Sequence, residues 1–185
     1  MFQYKLFKIY YKNKEDTIRS INNTFQSDCI WKINDNVIAI SYDNVENYKY
    51  ILNQVCKLNA SQVIVGLSKM VKFLDQIIDD NFIIDEIHFT EIIPLENQKL
   101  INNIIKSINS RKDDKEKMNL KNDLFEELKW LTTDGCIDIE HIDIEINQES
   151  EYKGAKLYIN GTIVFEDEHT KLYINSILSE VFRRI

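Results

Sequence analysis

Glycine and proline are nearly missing from this chain, with four and one respectively among 185 residues. That scarcity excludes collagen-like repeats, proline-rich linkers and glycine-rich phosphate loops as organising features. Cysteine is scarce too: Cys29, Cys56 and Cys136 lie far apart, with no CxxC pair. An odd count at such distances predicts buried, reduced thiols instead of a disulfide framework or a zinc site. No apolar run approaches the roughly 18 residues that span a bilayer, and Lys5 and Lys8 interrupt what would be a signal-peptide core. The expected setting is cytoplasmic, with no membrane association. Basic residues number 23 against 30 acids, a net charge of −7. Such a chain lacks the cations that displace phosphate counterions, so nucleic acid is not an expected partner. GxSxG, Walker A and GxGxxG motifs are absent as well. No catalytic residue, cofactor or resident metal is expected.

What is present is globular. Hydrophobic residues make up 44% of the chain, enough to build a core, and the length suits one domain or two small ones. Residues 4–11 read as an aromatic-rich strand, and 14–25 as a helix with Ile18, Ile21 and Phe25 on one face. Residues 29–33 and 37–42 are apolar runs joined by Asn34-Asp35-Asn36, residue types that tolerate the dihedrals of tight turns. Asp43 and Glu46 predict a capping box for a helix with a buried stripe of Val45, Tyr48, Leu52 and Val55. A strand over 62–67 leads to Ser68 as N-cap of a helix carrying Met70, Phe73, Leu74, Ile77 and Ile78. This β-α-β-β-α-β order is the split-βαβ, ferredoxin-like arrangement.

Further along come a possible strand over 86–93 and a helix bearing Leu100, Ile101, Ile104, Ile105 and Ile108. Residues 111–117 hold no apolar side chain and mark a soft boundary. The expected fold is therefore α+β: a ferredoxin-like core over 1–110, then a C-terminal antiparallel element with its own helices over 118–185, packed against the first. In that second part Leu120, Leu124, Leu128 and Leu131 line a helix, and Asn160-Gly161 predicts a two-residue type I′ hairpin. A last helix runs from about residue 168, with Ile174, Ile177, Leu178 and Val181 inward and Arg183-Arg184 at its end. Trp31 and Trp130 are expected in the core.

The run 29–40 with its Asn34-Asp35-Asn36 turn, the capped helix from Asn44, and Val63-Ile64-Val65-Gly66-Leu67-Ser68 carry a family likeness. Over residues 17–78, about a third of the chain, they resemble a degenerate GGDEF-like domain. That is the palm-type fold of diguanylate cyclases, also found as an inactive module in some bacterial transcriptional regulators. The resemblance implies a nucleotide-sensing module with Asn34, Asp35 and Asn36 at the ligand. Cyclase chemistry does not carry over. Those enzymes hold two metal ions with carboxylates from the first strand and the signature turn, which neutralise the transferring phosphates. Here the first strand has no acid and the turn keeps only Asp35.

The most unusual segment spans 137–146, where isoleucines alternate with acids. A strand there buries Ile137, Ile139, Ile144 and Ile146 and exposes Asp138, Glu140, Asp143 and Glu145 on the other face. The alternation slips at His141-Ile142, which predicts a β-bulge. Such a ladder is a solvated face that blocks edge pairing or, functionally, a surface for a basic partner or a metal. His88 and His141 each stand alone, without HxH or HExxH spacing, and the acids of Glu166-Asp167-Glu168-His169 suit a helix N-terminus. The expected function is a non-enzymatic binding protein, a regulatory, immunity or accessory subunit, that offers Asp138, Glu140, Asp143 and Glu145 to a protein partner. The alternatives are an inactive palm-like nucleotide sensor and an enzyme with an unrecognised site.

Overall fold

Tyr4, Leu6, Phe7 and Ile9 put apolar side chains on both faces of the first strand, so each face needs a covering layer. The computed structural model, which describes residues 1–10, 14–80, 82–111, 113–148 and 151–183, supplies both. Tyr11, Lys112 and Arg184, expected in the first strand, the charged stretch and the last helix, lie outside the described residues. In chain order come β1 (Phe2–Ile9), α1 (Lys14–Thr24), β2 (Ile30–Lys32), β3 (Val37–Ser41), α2 (Val45–Val55) and β4 (Ala60–Gln62). Then follow α3 (Leu67–Asp79), β5 (Ile83–Phe89), α4 (Leu95–Ser110) and α5 (Asp114–Thr133). The chain closes with β6 (Ile139–Gln148), β7 (Glu151–Tyr158), β8 (Thr162–Phe165) and α6 (Thr170–Val181). These elements form two compact units, Met1–Val65 with Asn160–Ile185, and Gly66–Ile159. The division follows strand pairing and not the charged stretch 111–117: residues 118–159 join 66–110, while β8 and α6 complete the first unit.

In the first unit β1 is central. β3 runs antiparallel along one edge, with β2 beyond it. The other edge is shared, β8 pairing with residues 2–5 and β4 with residues 7–9, both antiparallel. α1 and α2 cover one face, where Ile21, Ile51 and Val55 pack with Phe7, Ile9, Ile38 and Ile40. On the opposite face the rings of Tyr4, Trp31 and Phe165 meet at centroid distances of 5.6, 5.7 and 6.1 Å. There Trp31 Nε1–H donates to Asn175 of α6 at 2.9 Å.

β8 and β4 approach each other at the middle of β1. Leu6 N–H donates to the Gly161 carbonyl at 2.9 Å, and the Leu6 carbonyl accepts from Val63 N–H at 3.0 Å. Gly161 has φ +79°, and a Cβ there would lie 2.3 Å from the Val63 carbonyl oxygen. Asn160 is not left-handed, so the turn is not type I′, which needs positive φ at both central residues. The Asn160 carbonyl instead accepts from the Lys5 ammonium, and its side chain accepts from Thr162 N–H at 2.9 Å. Lys5 is 1% exposed, 5.9 Å from the Tyr48 ring centroid, and no carboxylate pairs with it among the described residues. Burial alone pushes its pKa down to about 8.

In the second unit β6 lies between β5 and β7, antiparallel to both. Helices α3 and α4 contact β5, α3 also contacts β6, and α5 packs on α3 and α4. Their buried stripes read as heptad-like rows, for example Met70, Phe73, Leu74 and Ile77 on α3. Lys121 of α5 is buried between Asp75 and Asp79 of α3, at 2.7 and 2.8 Å.

Several local expectations are corrected. Asn44, not Asp43, caps α2 by accepting from Asn47 N–H at 2.9 Å, and this turns Val45 outward and Ile51 inward. α3 starts at Leu67 after Gly66, which places Ser68 inside the first turn. Within the charged stretch, α5 begins at Asp114, with Asp113 accepting from Glu116 N–H. Trp130 is exposed, since α5 turns Leu124, Leu128 and Leu131 inward instead. Cys56 and Cys136 are exposed, not buried.

Two stability predictions follow from these positions. Gly161→Ala is expected to cost about 2–4 kcal/mol, through strained φ and the clash with a backbone carbonyl, whereas Gly66→Ala, at φ −67° with open space around it, stays within about 0.5 kcal/mol. Urea unfolding of the two variants reads the difference. For Lys5, the folded pKa lies below the unfolded value, so the unfolded chain binds more protons between about pH 8 and 10.5. Stability relative to a Lys5→Met variant should rise across that window, by about 1 kcal/mol per pH unit, and be flat below it. A parallel pair of pH profiles would refute it.

Candidate functional site

Antiparallel pairing places residues from β5, β6 and β7 in rows across the strands. Two register shifts sort those rows, one between Ile84 and Glu86 and one between His88 and Phe89. Asp85 is the extra residue on β5 and Glu140 the extra residue on β6, beside the expected slip at His141-Ile142. Ile139, Ile142, Ile144 and Ile146 are consequently all buried, while Ile137 is half-buried ahead of the strand.

The polar face then carries two rows. Glu86, Asp143 and Lys156 are opposite one another, and so are His88, His141 and Tyr158. The His88 and His141 rings stack at 4.1 Å and 13°, and His141 stacks on Tyr158 at 4.6 Å and 26°. The Lys156 ammonium donates to Asp143 Oδ2, which raises the pKa of Lys156. His141 Nε2 lies 3.4 Å from Asp143 Oδ1; His88 Nε2 lies 3.8 Å from Asp143 Oδ2 and 3.2 Å from Glu86 Oε2. Asp143 Oδ1 and His141 Nδ1 are buried without a hydrogen-bond partner. Burial, and then the adjacent His88, hold the His141 pKa below its ordinary 6.5.

The four expected carboxylates have separate fates. Asp138 and Glu140 are exposed and Glu145 is half-buried. Asp143 is buried, which corrects the expectation of a fully exposed ladder: the cross-strand Lys156 supplies the counter-charge that lets a carboxylate leave water. Asn34, Asp35 and Asn36 belong to the other unit. There Asn34 Oδ1 accepts from the N–H groups of Asn36 and Val37, and a hydrogen bond from Lys32, then the charge of Lys14, lowers the Asp35 pKa. An open groove of about 640 Å³ lies beside this turn, bordered by Lys32, Asn34, Asp35, Asn36, Glu180 and Arg183. The acids before α6 serve local bonds, Glu168 pairing with Lys171 at 2.6 Å and Asp167 accepting from His169 N–H at 2.8 Å.

Single-residue motif spacing missed Glu86, His88, Lys156 and Tyr158. A usable signal was present: Glu86-x-His88, His141-x-Asp143 and Lys156-x-Tyr158 each place two polar groups at the strand period of two. The chain matches no protein-family model, no curated protein and no solved structure. Among the described residues, no helix is long and apolar enough to cross a membrane.

A histidine with a lowered folded pKa binds fewer protons than it does in the unfolded chain. Stability should therefore fall as the pH drops below about 6.5 and level off above it. His141→Phe, which keeps a ring between His88 and Tyr158, is expected to flatten that slope below about pH 6.5. An unchanged slope in chemical denaturation would count against this assignment.

Proposed function

We propose that the chain is a non-enzymatic binding protein, a regulatory, immunity or accessory subunit of the cytoplasm, whose acidic β5–β6 surface meets a basic protein partner. The observation that carries this reading is the uneven charge across the three strands. Asp85, Glu86, Asp138 and Glu140 cluster on β5 and around the start of β6. The lysines lie on β7, where Lys153 pairs with Glu151 and Lys156 with Asp143. An acidic edge discourages strand addition while it attracts a cationic surface. Asp138 and Glu140 are the primary contacts on this reading and Glu145 a secondary one; Asp143 acts inside the sheet.

The pairing of β4 with β1, β1 with β3 and β3 with β2, under α1 and α2, supports a ferredoxin-like reading of the first unit, with β8 and α6 as additions. One observation favours the second function, an inactive GGDEF-like nucleotide sensor: the groove beside Asn34, Asp35 and Asn36 has Lys32 and Arg183 at its border. Phosphate would compete with Asp35 for Lys32 and with Glu180 for Arg183.

The double variant Asp138→Lys, Glu140→Lys decides between them. It should fold like the natural chain yet lose a partner that the natural chain captures from its native host. The loss should lie in the association rate, roughly tenfold at low salt, and shrink above about 0.5 M salt. Equal capture by both chains overturns the acidic-surface reading. A rise in melting temperature with guanine nucleotides, abolished by Arg183→Ala, supports the sensor.

A further inference from the structure

We propose that His88, His141 and Asp143 form a binding site for a borderline divalent cation of the zinc type, with Glu86 as a fourth ligand. One donor atom from each of the first three lies within 4.8 Å of the others. Two imidazoles and two carboxylates are the mixed nitrogen and oxygen set that such ions accept. The distances fit as well. A tetrahedral ion with bonds of about 2.0–2.1 Å holds its ligand atoms roughly 3.3 Å apart. His141 Nε2 to Asp143 Oδ1 is 3.4 Å and His88 Nε2 to Glu86 Oε2 is 3.2 Å. The first is longer than an ordinary hydrogen bond.

A second observation points the same way. Asp143 is only 7% exposed, and its Oδ1 accepts no hydrogen bond. A buried carboxylate oxygen without a partner is costly, and the nearest polar atom in its ion pairs is an imidazole nitrogen. A cation held between them satisfies both lone pairs. Lys156 stays on Asp143 Oδ2 and leaves Oδ1 to the ion, and the cluster sets two carboxyl groups against one ammonium. Tyr158, stacked on His141, fixes the plane of that ring.

The test is zinc chloride titrated calorimetrically into the full chain after dialysis against chelator, so that the result does not depend on any protein partner. One equivalent should bind, and cobalt(II) at the same site should give the visible absorption of a tetrahedral complex. His88→Ala, on a half-exposed edge strand, should weaken zinc binding at least tenfold, and Asp143→Asn should do the same. His169→Ala, remote in sequence and outside the cluster, should change nothing. If Asp143→Asn fails to fold, His88→Ala alone decides. Absence of binding at about 1 mM zinc, or binding equal in the natural chain and His88→Ala, overturns the site.

Discussion

Burial of the β6 isoleucines constrains everything that the opposite face of the strand can do. Ile139, Ile142, Ile144 and Ile146 are each no more than 2% exposed. Full burial of such a side chain is worth roughly 1.5–3 kcal/mol, so a one-residue slip, which would turn the whole set outward, is heavily disfavoured. The isoleucines do not share one parity, and the bulge at Glu140 reconciles them; Asp85 does the same on β5. Once the register is set, the polar rows have no freedom. Glu86, Asp143 and Lys156 face one another, as do His88, His141 and Tyr158, because their backbone partners do. The cluster is a consequence of packing on the far side of the sheet.

Local patterns in the sequence were legible where one segment held the whole cause. The α3 stripe of Met70, Phe73, Leu74, Ile77 and Ile78 is buried as its spacing predicts, and Asn34 stabilises its turn by side-chain bonds to the two N–H groups that follow. The isoleucine phase slip announced a bulge to within one residue. Patterns failed where the deciding partner was distant. Asp143 reads as an exposed acid until Lys156 is placed opposite it, and His88 and His141 read as isolated until β5 is laid against β6. Trp130 lies between Leu128 and Leu131 on α5, yet Leu124, Leu128 and Leu131 occupy the inward side of that helix. Likewise, Asn160-Gly161 has the letters of a type I′ turn. Its geometry is set instead by the Lys5 ammonium on the Asn160 carbonyl and by the close approach of Val63 to Gly161.

Three lysines show how the two units handle charge differently. Lys121, buried, and Lys156, half-buried, each meet carboxylates from a neighbouring element, and both have a raised pKa. Lys5 meets a carbonyl and the Tyr48 ring only, and falls to about 8. A buried cation with a carboxylate is held charged, so its pair acts as a fixed dipole that can orient further ligands. Lys156 does this for Asp143: it occupies one carboxylate oxygen and leaves the other aimed at an imidazole. The exposed acids Asp85, Asp138 and Glu140 add negative charge around the cluster. A rim of that sign draws cations of any kind toward the sheet, whether side chains of a partner or a free ion. Asp143 Oδ1, buried behind that rim, faces the His141 imidazole and not solvent.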